Sequence, residues 1–532
     1  MGDYLEKKER AIGYTKMSRQ VTRTEGDMAE IVDTPQPPVR VPTGLAGLDT
    51  ILRGGLLQGG VYAIVGPPGA GKTILGNQLC FHHVATGGRA VYVTLLTETH
   101  GQLFSYLSSL AFFDPAVIGD TLRYYSAYCE LEEGGLAGLR DYLRTVVRAD
   151  KSTLLVLDGL AAVAASAAGD LDLARFLAAV QVQGAASGCT TLLLMATAPV
   201  DAAPSTYTMV DGVIALDDRR VGPRAVRELS VPKFRGSGYL RGGHACDITD
   251  AGVMVYPRIE ALLARPSRVI TEGRARHAFG IAGLDAMLHG GVLAGSTTLF
   301  LGEPGSGKTL TGTSFLVAGA QAGERGLYFG FFESPARLIG KVDAVGLALG
   351  RHVADGMIAL RWQPPLEASI DALAGALLTA VREQGVRRLF IDGLDGFART
   401  AVEPERIDAF FTALSNELRA LEVTTVVSLE QTRLFDPTVV APITGVSASF
   451  ENLLLLRTVE LRAQLHRLVS IVKVRESGYD TAIREFRISA QGIDVSATFA
   501  SAEAVLTELE RSAPLPTTGT PAAPPLDVGP ER

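Results

Sequence analysis

The chain has 532 residues, 47% of them hydrophobic and 20% charged, and carries a formal net charge of −7. Its length exceeds what a single hydrophobic core usually organises, so two globular domains are expected. The acidic balance excludes a general attraction to phosphate backbones, and no Lys/Arg-rich loop supplies a local one, so nucleic acid is not an expected partner.

In chain order, residues 1–40 are polar and charged and close on TPQPPVRVP, whose prolines oppose a helix, so a flexible arm is expected. The arm lacks the apolar stretch of a secretory signal, and no run of about 18 apolar residues occurs anywhere, which predicts a cytoplasmic protein with no membrane segment. A first domain is expected over 41–263. It opens with PTGLAGLDTILRGGLLQGG (42–60), then the strand VYAIVG, the phrase GPPGAGKT (66–73) and a helix-compatible run. The strand ending in Glu98 (AVYVTLLTETHGQL), the apolar run LLVLDG with Asp158, TTLLLMAT with Thr197, and SVPKFRGSGY follow. A second domain is expected over 264–500, because the same phrases return in the same order: FGIAGLDAMLHGGVLAG, TTLFLG, GEPGSGKT (302–309), ERGLYFGFFESPARL with Glu333, LFIDG with Asp392, TTVVSLEQT with Gln431, and SIVKVRESGY. Copies of this size indicate a duplicated domain and not a solenoid repeat. Continuously apolar strands alternate with amphipathic segments such as IDALAGALLTAVREQG. The fold class is therefore α/β, with two tandem domains, each a mostly parallel twisted sheet flanked by helices. Residues 501–532, rich in Pro, Ala and Thr, read as a disordered tail. Cys80, Cys129, Cys189 and Cys246 have no CxxC spacing and read as ordinary buried thiols.

The repeated phrase fits GxxxxGK[ST]. Its glycines (Gly66, Gly69, Gly71 and Gly302, Gly305, Gly307) let backbone N–H groups turn inward around a phosphate chain at the positive end of the following helix. Lys72 and Lys308 would reach the β- and γ-phosphates of ATP, and the Thr73 and Thr309 hydroxyls would ligate Mg²⁺. Such a loop needs a carboxylate on an adjacent strand to complete the metal site, and Asp158 and Asp392 end the strands that supply it. Glu98 and Glu333 would place or deprotonate the attacking water, and Thr197 and Gln431 are candidate γ-phosphate sensors.

These phrases together, with GLDxxLxGG ahead of each loop and KxR near the end of each copy, resemble the KaiC-like branch of RecA-type ATPases over residues 41–497. The resemblance implies a homo-hexameric double ring that hydrolyses ATP, with nucleotide clamped between neighbours and a KaiB-like or other signalling protein as partner. It also implies that Lys233 and Arg235, and Lys473 and Arg475, reach the neighbouring subunit's nucleotide. The clock members carry two adjacent glutamates where this chain has Thr97-Glu98 and Phe332-Glu333, and an adjacent Ser-Thr phosphorylation pair where it has Ser447-Ala448. A two-site phosphorylation cycle is thereby excluded, leaving autophosphorylation at Ser447, with Ser449 as substitute. Glu476 stands where the family usually has Gly, beside the second pair of cations. Two other readings share these motifs: a RecA-type DNA-dependent ATPase, and a scaffold that binds ATP with little hydrolysis.

Overall fold

The structure is a computed structural model. It describes residues 38–95, 99–196, 206–269, 275–431, 449–461, 464–475, 477–498, 500, 502–504 and 506–507. Besides a two-stranded ribbon of Arg40–Val41 and Leu56–Leu57, the first half has the strands β1 (Val61–Gly66), β2 (Ala90–Thr94), β3 (Leu122–Ser126), β4 (Leu154–Asp158), β5 (Thr190–Ala196), β6 (Gly212–Val221), β7 (Arg224–Phe234), β8 (Gly243–Thr249) and β9 (Gly252–Tyr256), the nine that make its main sheet. Strands β1 to β9 form one nine-stranded sheet in the order β9-β8-β7-β6-β1-β5-β4-β2-β3. The six strands from β6 to β3 are parallel, and β7, β8 and β9 add on antiparallel.

The second half repeats this strand for strand. Its elements are β10 (Thr297–Gly302), β11 (Gly326–Gly330), β12 (Ile358–Trp362), β13 (Arg388–Asp392), β14 (Thr424–Glu430), β15 (Asn452–Leu461), β16 (Gln464–Val474), β17 (Arg484–Ser489) and β18 (Gly492–Val495). Their order, β18-β17-β16-β15-β10-β14-β13-β11-β12, is the same topology.

The parallel strands are apolar throughout because both faces are covered. In β1, Tyr62 and Ile64 join one hydrophobic cluster, while Val61, Ala63 and Val65 join the cluster on the opposite face. In β10, Phe300 goes to one side and Leu299 and Leu301 to the other. This is the period-two alternation of a strand buried on both faces.

The GLD phrases have a structural task. Asp49 accepts the Thr43 backbone N–H at 2.8 Å, and Asp285 accepts those of Phe279 and Gly280 at 2.7 and 3.0 Å, so each carboxylate ties an entering segment to a short helix. The halves meet through a polar seam. Arg406 donates to Glu260 at 2.7 Å and to Asp371 at 2.9 Å, and Asp371 also accepts the Ile259 N–H at 3.0 Å. Ile259 and Leu263 pack in the core of the second half. Among the described residues no helix is long and apolar enough to cross a membrane.

Candidate functional site

Ligands of open α/β sheets bind beyond the carboxyl ends of the parallel strands, and each glycine phrase lies there. In the first half the loop runs from the end of β1 into helix α1 (Lys72–Ala85). Gly69 and Gly71 hold φ values of 83° and 97°, left-handed conformations that a side chain would resist, and a Cβ on Gly69 would meet nothing within 4 Å. The loop is thus a turn that glycine adopts freely, open at Gly69, while at Gly71 a Cβ would meet Ile248 at 2.7 Å. Lys72 folds over it, donating from Nζ to the carbonyls of Gly66 and Pro67 at 2.9 and 2.8 Å. Burial lowers the proton affinity of this amine, and Asp158 works in the opposite sense.

The Thr73 hydroxyl donates to Asp158 Oδ2 at 3.0 Å, and the Tyr92 hydroxyl donates to the same oxygen at 2.6 Å. Burial raises the Asp158 carboxyl above its usual range, against the lowering by Tyr92, Thr73 and Lys72. The expectation of an adjacent strand is corrected here: β5 lies between β1 and β4, and β14 lies between β10 and β13. The contact survives because the P-loop helix starts above the strand ends, so its first turn can bridge the roughly 10 Å that two strand spacings impose.

The second half builds the same corner with more partners. Gly305 and Gly307 have φ values of 75° and 106°, and helix α2 (Lys308–Gln321) follows. Lys308, buried, donates to the carbonyls of Gly302 and Glu303 at 2.8 and 2.7 Å, and burial lowers its proton affinity. Asp392 accepts from Thr309 at 3.3 Å, Tyr328 at 2.9 Å and Ser428 at 2.7 Å, while Ser428 in turn accepts the Gly393 N–H at 2.8 Å. Burial raises the Asp392 carboxyl, and those three donors lower it. A cavity of about 440 Å³ opens over this corner, lined among others by Lys308, Thr309, Glu333, Lys341, Asp392 and Glu430. Glu333 accepts from Lys341 Nζ at 2.5 Å. Phe332, the residue before Glu333, lies under the Arg399 guanidinium at 5.0 Å and against Gly393.

The residues fit Mg·ATP. In each half a hydroxyl and a carboxylate are close enough to hydrogen-bond, so both oxygens face one point. That donor set suits a hard cation which takes one carboxylate and completes its octahedron with phosphate oxygens and water. Among the described residues no three His, Cys, Asp or Glu side chains cluster to hold an ion by themselves.

The register separates the KxR pairs from their own loops. Lys233 pairs with Val213, which pairs with Ala63, and the Arg235 N–H bonds to Asp211, whose N–H bonds to Val61. Arg235 is therefore level with the amino end of β1, about 17 Å along the strand from the loop end. Lys473 is level with Leu299 through Leu453, and the Arg475 N–H reaches Glu451, whose N–H reaches Thr297. Lys233 and Arg235 donate to the Thr208 carbonyl at 2.9 and 3.2 Å, and Lys473 donates to that of Phe450 at 2.8 Å. Burial lowers the proton affinity of both lysines, reinforced by the neighbouring arginine in each case.

Glu98, Thr197, Ser447 and Glu476 lie outside the described residues. Gln431 is buried, its N–H on the Gly302 carbonyl at 3.0 Å, and Ser449 Oγ lies 3.0 Å from Thr412 Oγ1. Sequence reasoning missed Tyr92, Tyr328, Ser428 and Lys341. The two tyrosines are separated by the same 236 positions as the two P-loops, a signal that comparison of the copies carries. Ser428 and Lys341 have no such signal, because the first half has Leu194 opposite Asp158 and Tyr106 eight residues beyond Glu98.

Comparison with known proteins agrees with the duplicated architecture. The family described as "ATPase: KaiC" matches residues 41–260 and again 278–499. Among curated relatives, a circadian clock oscillator protein KaiC of Picosynechococcus sp. is 24% identical over 88% of this chain and 91% of its own length. KaiC 1 of Synechocystis sp. is 25% identical over 89% and 92%, and KaiC of Synechococcus elongatus is 23% identical over 88% and 91%.

Proposed function

The chain belongs to the KaiC family of ATPases, and from that premise we propose that it binds Mg·ATP in both halves and hydrolyses it in a homo-hexameric double ring. The observation that carries this reading is the corner built twice: a P-loop threonine hydroxyl on a strand-end aspartate, Thr73 on Asp158 and Thr309 on Asp392. In each half the threonine and aspartate hold Mg²⁺, and the lysine leaves the loop carbonyls for the phosphates. Glu98 or Glu333 places the attacking water. Stabilisation of charge on the transferred phosphoryl group then falls to these cations together with those supplied by a neighbour.

The position of the KxR pairs supports the neighbour's part. Lys233, Arg235, Lys473 and Arg475 stand toward the amino ends of the strands, whereas their own P-loops follow the carboxyl ends. A nucleotide they touch is therefore that of another copy, and hydrolysis becomes conditional on assembly. Signalling through the nucleotide state of the ring, to a KaiB-like or other protein partner, follows from the family. Phosphoryl transfer to Ser447, with Ser449 as substitute, is a further part of the proposal, which intact-mass measurement after incubation with Mg·ATP tests.

The decisive experiment measures particle size and phosphate release together. Nucleotide should convert the chain to a hexamer holding two nucleotides per chain. Lys233→Ala/Arg235→Ala should bind nucleotide in both halves and lose the first half's share of the turnover. A chain that stays monomeric at saturating Mg·ATP, or that assembles without releasing phosphate, overturns the reading. The second outcome would favour a non-hydrolysing scaffold.

A further inference from the structure

Placing a water for in-line attack demands a carboxylate held to a fraction of an ångström, yet the bend after β11 gives Glu333 no such restraint by itself. A glutamate side chain retains several rotamers, and this one stands between the end of β11 and a helix that starts only at Pro335. The restraint comes from Lys341. It belongs to helix α3 (Pro335–Asp343), which is fixed to the core by buried Leu338 and Val342. Its Nζ lies 2.5 Å from Glu333 Oε2, and both side chains line the cavity that Lys308, Thr309 and Asp392 also line. The fold does not require this cation, because the corresponding helix of the first half, His100–Leu107, carries Tyr106 instead, 65% exposed.

Resting on the reading of Glu333 given above, we propose that Lys341 is a positioning residue of the second half. It holds Glu333 by one carboxylate oxygen and leaves the other for the attacking water, and the first half has Tyr106 at the corresponding place. The two ATP sites are therefore unequal: loss of the lysine impairs turnover in the second half alone.

The test uses the full chain with the first site silenced by Lys72→Ala, comparing Lys341→Met, Lys341→Arg, Glu333→Gln and the double variant Glu333→Gln/Lys341→Met by steady-state phosphate release. Lys341→Met should lower kcat about tenfold with KM nearly unchanged, since an interaction that orients the water acts on the chemical step. Lys341→Arg should recover most of that loss. The double variant should be no slower than Glu333→Gln alone, because the lysine acts through the glutamate. An unchanged kcat in Lys341→Met overturns the proposal. So does a loss that adds in full to that of Glu333→Gln, or one confined to KM, which would make Lys341 a phosphate ligand. If Glu333→Gln hydrolyses at the full rate, the role of Glu333 itself fails and takes this proposal with it. If Glu333→Gln is slow and Lys341→Met is not, the lysine's role alone falls.

Discussion

Replacing Asp158 by Asn exchanges a buried carboxylate for an amide of the same shape, and the two consequences should have opposite signs. Asp158 is 7% exposed, and its Oδ2 accepts the Tyr92 and Thr73 hydroxyls at 2.6 and 3.0 Å. An amide oxygen in the same place keeps both hydroxyls as donors and removes a charge from the interior. Without nucleotide, Asp158→Asn should be at least as stable as the parent, because burial disfavours the charged carboxylate that the amide replaces. With Mg·ATP the comparison reverses, because the metal loses its carboxylate. A ligand at a hundred times its Kd stabilises by about 2.7 kcal/mol. In a domain of this size each kcal/mol moves the melting temperature by about 2–4 °C. Mg·ATP should therefore raise the transition of the parent's first half by about 5–10 °C. That shift should nearly vanish in Asp158→Asn while the second half keeps its own, and scanning calorimetry with and without Mg·ATP measures both. An undiminished nucleotide shift, or a nucleotide-free variant weakened by several kcal/mol, would make Asp158 a strut of the fold and refute the metal corner.

Tyr92→Phe removes a hydrogen bond to a buried carboxylate and should cost about 1–2 kcal/mol in urea unfolding without nucleotide. Tyr328→Phe should cost less, since Thr309 and Ser428 stay on Asp392. Arg406→Ala leaves Asp371, with a side chain 1% exposed, without the guanidinium that binds it, and should destabilise the seam between the halves by about 3–5 kcal/mol, read as a lower denaturant midpoint. The pH dependence follows from the raised carboxyls of Asp158 and Asp392. A carboxyl raised on folding binds protons more readily in the folded state. Its contribution therefore favours the nucleotide-free fold increasingly as pH falls through the folded value, and disfavours it above. Mg²⁺ requires the ionised form, so the melting shift produced by Mg·ATP should narrow between neutral and mildly acid pH. A shift constant over that range would contradict the assignment.

The duplicated α/β architecture, both P-loops and the two strand-end aspartates could be read from the chain because their causes are local. Left-handed glycines, a lysine-threonine helix start and a continuous apolar strand each leave a mark within about ten neighbouring residues, and here the marks occur twice. What only tertiary structure decided depends on which strands lie side by side. The insertion of β5 between β1 and β4, the Tyr92 and Tyr328 hydroxyls reaching across from a neighbouring strand, and the distance of each KxR pair from its own loop all follow from strand order and register. Residues far apart in sequence set that order, through crossovers whose helices pack on the sheet. Glu333 and Lys341 are close in sequence, yet only the path of the bend after β11 brings their charges together over the cavity; a spacing of eight residues across a bend does not specify it.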